Sequence, residues 1–188
     1  MRIIAGNRRG LKLIAPKGLD TRPTEDRVKE SVFNILGQNF FGDIVLDLFC
    51  GSGANGIEFI SRGAEKAYFV DKSKEAIVCV KKNLDKAKFS DQAFVIENHL
   101  NQALKNLDVK FDYIYMDPPF ERRDLYKKAF KLIKEYKILK DDGKLIVEYN
   151  TDKPLLIGEG FVELKNKKYG NTSISICGWD ENESNICG

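Results

Sequence analysis

Histidine is almost missing from this 188-residue sequence, at one copy, and none of its four cysteines forms a C-x-x-C pair. A zinc site needs grouped sulfur or imidazole ligands and a disulfide framework needs paired spacings, so neither is expected and the thiols read as reduced. No stretch approaches the roughly 20 apolar residues of a membrane span, and the opening MRIIAGNRRG turns polar too early for a signal-peptide core. A cytoplasmic protein with no membrane partner is expected. Proline is scarce at 5 residues, and there is no internal repeat or low-complexity tract, which excludes collagen-like, solenoid and disordered classes. Neither sign of charge dominates, at a net +3, but the distribution is uneven. Residues 1 to 30 hold eight Lys/Arg against four acids while the remainder sums to about −1, an asymmetry that points to a polyanionic partner at the N-terminal end or to a solvated basic arm.

The hydrophobic content, 43%, is enough for a core, and the length suits one domain. Residues 2 to 14 place two short apolar pieces around Gly6-Asn7-Arg8-Arg9-Gly10, the pattern of a β-hairpin with a basic tip. Thr24 is placed to cap a helix with Glu25 and Asp26 in its first turn, Val28, Val32, Ile35 and Leu36 on one face, and Gly37 as its stop. From residue 44 apolar strands alternate with amphipathic helices, the pattern of a parallel sheet covered on both sides. Strands are expected at 44 to 49, 67 to 70, 93 to 96, 113 to 116 and 145 to 148. Two alternating segments, 161 to 166 and 173 to 177, flank a Gly170-Asn171 turn and predict a closing antiparallel pair. The expected fold is a doubly wound, seven-stranded, mostly parallel α/β sheet, with an N-terminal extension over 1 to 20, a main domain over 21 to 180 and a polar tail over 181 to 188.

Ligands of such sheets sit beyond the carboxyl ends of the strands. After the first strand, Gly51-x-Gly53-x-x-Gly56 allows close backbone approach and opens a helix whose amides can meet a polar group. That loop fits a dinucleotide as well as S-adenosylmethionine. Asp47, just before it, would repel a pyrophosphate but could orient amides around a cationic methionyl ligand, which favours S-adenosylmethionine. Asp71, ending the second strand, is placed to accept two ribose hydroxyls. After the fourth strand comes Asp117-Pro118-Pro119-Phe120. The two prolines fix the backbone and leave carbonyls without ladder partners. An exocyclic amine on a base ring is a poor nucleophile because its lone pair is delocalised. Two acceptors, the Asp117 carboxylate and the Pro118 carbonyl, can take its N–H groups and aim the lone pair at a methyl group, with Phe120 as a stacking face for the base. Arg122 and Arg123 follow and could hold phosphates. The lysines of the next helix, Lys127, Lys128, Lys131 and Lys134, read as its wet face, and Cys50 as a small packing side chain.

DLFCGSGANG, VDKSKEA, DPPF and above all TRPTEDRVKESVFNIL, with the closing KKYGNTSISI, resemble the bacterial 16S rRNA guanine-N2 methyltransferases from Met1 to about Cys177. The resemblance implies a class I, Rossmann-like methyltransferase fold, S-adenosylmethionine as donor with no metal, and 16S rRNA in assembled or assembling small ribosomal subunits as substrate. It also implies that Arg22, Pro23 and Thr24 line the cofactor pocket, with Thr24 near the methionyl carboxylate, and that the basic hairpin, carrying Arg8, Arg9 and Lys12, holds RNA. A monomer is expected. After the third strand, Glu97-Asn98-His99 departs from the usual acid or amide that meets the adenine amine; Asn98 is the residue expected to do so, and His99 reads as a surface or cap residue. The competing readings are an adenine-N6 DNA methyltransferase, which 188 residues leave little room for, and a dinucleotide-binding Rossmann oxidoreductase, which leaves Asp47 and Asp117-Phe120 unexplained.

Overall fold

The computed structural model describes residues 1–16 and 23–181. Among the described residues five α-helices, α1 (Pro23–Leu36), α2 (Ala54–Ser61), α3 (Lys74–Ala87), α4 (Leu100–Lys105) and α5 (Arg123–Tyr136), cover a seven-stranded sheet. Its strands are β1 (Ile44–Leu48), β2 (Lys66–Asp71), β3 (Ala93–Glu97), β4 (Phe111–Met116), β5 (Leu139–Asn150), β6 (Phe161–Tyr169) and β7 (Thr172–Trp179), in the spatial order β3-β2-β1-β4-β5-β7-β6. The first five run parallel; β7 pairs antiparallel with both β5 and β6. The expected doubly wound sheet with an antiparallel end is therefore present. Among the described residues no helix is long and apolar enough to cross a membrane.

Alternation along the strands produces two cores. Val45, Phe69, Tyr115 and Ile146 face a layer with Val32, Phe33, Phe59 and Val80. Leu46, Leu48, Met116 and Val147 face the other, with Leu104, Phe130 and Ile133. Successive side chains point to opposite faces, so strands covered on both sides must be apolar at nearly every position.

Three local differences from the sequence pattern have identifiable causes. Helix α1 begins at Pro23, two residues before the expected start at Glu25, so Thr24 lies inside the helix rather than capping it, in keeping with the fixed φ of proline suiting a first helical turn. β5 begins at Leu139 rather than 145, the Asp141-Asp142-Gly143 turn being absorbed by a register shift against β4 between Phe111 and Tyr113. The N-terminal hairpin has a single bridge, Arg2 to Lys12; the Ile3, Gly10 and Leu13 amides bond across it, while several others bond to α2 and α3. Ile4 and Ala5 donate to the Glu58 carboxylate, Asn7 to the Ser61 carbonyl, Arg8 to Ser61 Oγ and Ile14 to Asn83 Oδ1. Ile3 and Leu13 of this hairpin are buried in the first core.

Candidate active site

β1 pairs with β2 on one side and β4 on the other, so the chain reverses its winding at β1 and a crevice opens beyond the strand ends. There the structure has a cleft of about 1340 Å³, lined by the loops after β1, β2, β3 and β4 and by the β6–β7 turn. A single small ligand typically occupies roughly 300–1,000 Å³, so this cleft has room for a cofactor and a base together.

The loop after β1 is tightly wound. Phe49 adopts a left-handed conformation, φ 62°, uncommon for a bulky side chain and of the kind that concentrates at ligand sites. The Gly53 amide closes the turn on the Cys50 carbonyl at 2.6 Å. The glycines divide the work: Gly51 lies on the cleft, whereas Gly53 and Gly56 pack inward, where a Cβ would collide with Val80 and with the Phe69 ring respectively. Asp47 lies beneath the loop, not on the cleft wall, and its Oδ2 accepts the Gly56 amide at 2.9 Å. Burial pushes its carboxyl up to about 8, helped by the Asp71 charge and opposed by the Gly56 bond and by Lys29. The Cys50 thiol, on the cleft, is held well above its ordinary range by burial and by Asp47 and Asp71, consistent with a packing side chain rather than a nucleophile.

Asp71 ends β2 on the cleft, with Oδ2 accepting the Gly51 amide at 3.1 Å and Oδ1 the Ser73 amide at 2.8 Å. Two fixed amides set the carboxylate's orientation while its outer lone pairs remain available to hydroxyls. Asn98 and His99 both line the cleft; the Asn98 amide bonds the Asp71 carbonyl and its Oδ1 accepts the His99 amide at 2.9 Å. Arg22 lies outside the described residues, as do the side chains of Pro23 and Thr24 and the tail from residue 182.

Across the cleft stand Asp117, Pro118, Pro119 and Phe120. Pro118 is buried and Pro119 exposed; the Pro119 carbonyl accepts the Arg122 amide at 2.8 Å, and among the described residues no donor takes the Pro118 carbonyl. Behind Asp117, the buried Tyr115 hydroxyl donates to Glu148 Oε2 at 3.1 Å, and Tyr126 donates to the Glu148 carbonyl. Burial and the neighbouring Glu148 and Asp117 push the Tyr115 phenol well up, so it stays a donor. Arg122 lines the cleft with its guanidinium forked onto Asp124 at 2.8 and 2.9 Å, while Arg123 points away to the Pro154 carbonyl.

The basic hairpin tip is not at this site. Arg8 Nε donates to the Ala87 carbonyl at 2.8 Å, at the carboxyl end of α3, and its guanidinium lies over Phe89. Ser61 and Ala87 end their helices at the amino edge of the sheet, about 20 Å from the cleft by the length of α3. Arg9 and Lys12 are exposed there, Lys12 next to Lys86. The same segment nevertheless returns to the cleft, which Met1, Ala15 and Pro16 help to line.

A buried charge cluster had no part in the sequence reading. Glu58, fully buried, pairs with Arg62 Nε at 2.8 Å and Lys29 Nζ at 3.3 Å, and Lys29 also reaches the cleft wall. Burial lowers the Lys29 ammonium, against the pull of Glu58. The available signal was spacing: Lys29 stands three and four residues before Val32 and Phe33, on the apolar face of α1.

A parallel sheet reversing at β1, a glycine loop after β1, a carboxylate ending β2 and an Asp-Pro-Pro-Phe loop ending β4 together define a class I methyltransferase. Residues 1–178 match the family described as Conserved hypothetical protein 95. The chain is 40% identical over 179 residues to the ribosomal RNA small subunit methyltransferase D of Haemophilus influenzae, covering 94% of this chain and 92% of that one. Its counterpart in Escherichia coli K12 is 34% identical, over 82% of this chain and 77% of its own. The chain belongs to this family of rRNA methyltransferases. A solved structure from Escherichia coli, yhhF, described as a candidate methyltransferase, superposes with TM-score 0.83 at 29% identity, covering 96% and 98% of the two chains. SMU.776, solved in complex with SAH, shares the fold at TM-score 0.68 and 14% identity, over 84% of this chain and 50% of its own.

Proposed function

We propose that the chain transfers a methyl group from S-adenosylmethionine to the exocyclic N2 amine of a guanine in 16S rRNA, acting as a cytoplasmic monomer on the assembled or assembling small subunit. The observation that carries this reading is the Asp117–Phe120 loop facing Asp71 and Gly51 across one cleft, with the Pro118 carbonyl unclaimed by any described donor. The bound donor supplies an electrophilic methyl on a sulfonium. Asp71 would take the ribose hydroxyls, the Ser52 amide beside Gly51 the methionyl end, and Asn98 the adenine amine. On the Arg22-Pro23-Thr24 stretch the reading rests on family resemblance alone.

The Asp117 carboxylate and Pro118 carbonyl accept the two N–H groups of the target amine, drawing its lone pair out of conjugation. Phe120 stacks the base, and Pro118 and Pro119 hold the loop against collapse. With the donor bound, its methyl would pass from sulfur to the lone pair so aimed, the C–S electrons staying on sulfur, and the proton of the cationic amine would go to the Asp117 carboxylate that already accepts that N–H, and from there to water. The Tyr115–Glu148 pair lies beneath the loop. Arg122 lies beside the loop for phosphates, Arg123 faces the far side of α5, and Arg8, Arg9 and Lys12 form a more distant basic surface for RNA.

The test is nucleoside mass spectrometry of small subunits lacking the modification, incubated with protein and S-adenosylmethionine. New N2-methylguanosine supports the assignment; N6-methyladenosine, or no methylated base despite bound cofactor, overturns it. Asp117→Ala is expected to abolish transfer, at least 1,000-fold, with cofactor affinity within about threefold of wild type. A large loss of cofactor binding would remove Asp117 from this role.

A further inference from the structure

A second cavity, about 600 Å³, lies between α5 and residues 151–160, and Phe120 and Asp124 line both it and the main cleft. α5 thus forms a partition, with Lys128 on the cleft side and Lys127 and Lys131 on the other. The groove carries five basic side chains against two acids. Both acids are already engaged: Asp124 by Arg122 at 2.8 Å and Glu159 by Lys134 at 3.2 Å. Lys127 and Lys131, both exposed, have no acidic partner among the described residues. They stand four apart on one helix, so their ammonium groups form a pair one turn apart along the groove.

The opposite wall is apolar and firmly built. Residues 151–160 have no helix or strand, yet Arg123 donates to the Pro154 carbonyl at 3.0 Å and Lys153 pairs with Glu121 at 3.1 Å. Gly158 rests on Phe130 so closely that a Cβ would collide with it. Leu155 and Ile157 pack on the second core, while Leu156 stands 77% exposed in a basic groove. A free phosphate would need no such apolar face; a nucleotide uses both, its phosphate on the lysines and its base against the aliphatic wall.

We infer that this groove is a second RNA subsite, holding the nucleotides adjacent to the target base, with their phosphates on Lys127 and Lys131 and a base against Leu156. The inference rests on the proposed reading of Phe120 as the stacking face of the target base. A strand leaving Phe120 then has a continuous path over α5 into the groove. The lysines that the sequence pattern reads as a wet helix face become a phosphate track.

The experiment compares wild type with Lys127→Glu/Lys131→Glu and with Leu156→Asp, using small subunits lacking the modification. Lys105→Glu/Lys110→Glu, between the end of α4 and the start of β4 and outside the groove, carries the same change of charge as a control. Both groove variants should raise KM for subunits at least 10-fold, with kcat and cofactor affinity within twofold. The lysine variant should also flatten the salt dependence of subunit binding, reducing its log–log slope by about 1.5 for two lost phosphate contacts. An unchanged KM in the groove variants, or an equal rise in the control, overturns the subsite. A loss of binding to subunits that is not shared by protein-free 16S RNA assigns the groove to a ribosomal protein and also overturns it. If wild type methylates no subunit RNA, the proposed function itself fails and the inference falls with it, a pattern distinct from active wild type with indifferent variants.

Discussion

Asp47→Asn should make the protein more stable at alkaline pH, opposite to what loss of a buried acid's charge contacts would do. The carboxyl is 2% exposed, beneath the glycine loop, and its affinity for a proton rises from the usual 3.8 to about 8. An acid whose folded value lies above its unfolded value binds an extra proton on folding, so stability falls as pH rises through the window from about 4 to about 8. At about 1.4 kcal/mol per tenfold change in proton affinity, the ceiling on that loss is roughly 6 kcal/mol. Water reaching an ionised carboxylate through a relaxed loop makes about 2–3 kcal/mol the expected figure. Asparagine keeps an acceptor for the Gly56 amide and cannot ionise. Urea unfolding followed by fluorescence of Trp179, the one tryptophan, measures both proteins from pH 5 to 9. The two should be similar near pH 5, and the variant ahead by about 2–3 kcal/mol near pH 9. Parallel curves across the window would refute the reasoning, since Asp71 and Lys29 remain in both proteins and cannot produce a difference between them.

Glu58→Ala should cost about 3–5 kcal/mol, because it strands two buried cations and the Ile4 and Ala5 amides together. A loss under about 1 kcal/mol by the same unfolding assay would show that Lys29 and Arg62 find other partners. Gly53→Ala should cost on the order of 2–4 kcal/mol, from its φ of 76° together with the collision with Val80. Gly10→Ala, at φ 84° with nothing near the added carbon, should cost only about 1 kcal/mol. Equal losses at the two glycines would contradict the assigned packing role of Gly53.

What the sequence made legible was whatever is written within one element or one loop. Continuous apolar runs placed each parallel strand, helical spacing most of the helices and period-two alternation the closing antiparallel pair, and the strand ends pointed to Gly51, Asp71 and Asp117. Contacts between distant segments left almost no local trace. Glu58 lies within an apolar helix; Arg62, four residues after it, was a visible partner, but Lys29, 29 residues before it, was not. The hairpin pattern was visible, but its amides bond Glu58 and Ser61, which no alternation of residues encodes. The left-handed Phe49 was equally hidden, since a bulky residue carries no turn signature. Residues 151–160, lacking periodicity, concealed the wall that turns the lysines of α5 into the side of a groove.

The path of the first residues has a consequence for the order of folding. Met1 and Ala15 line the cleft, yet the segment between them is fastened by Glu58, Ser61, Asn83 and Ala87. During synthesis these residues emerge before every group that fastens them: α2 brings Glu58 and Ser61, and only α3 brings Asn83 and Ala87, a sequence separation of up to 79 residues for the Arg8–Ala87 bond. Closing so long a loop is entropically unfavourable and delays the step. The cofactor cleft is thus completed late, by a segment made before the strands that carry it, and a ribosome-bound intermediate with a formed β1–β2 pair would still lack one of its walls.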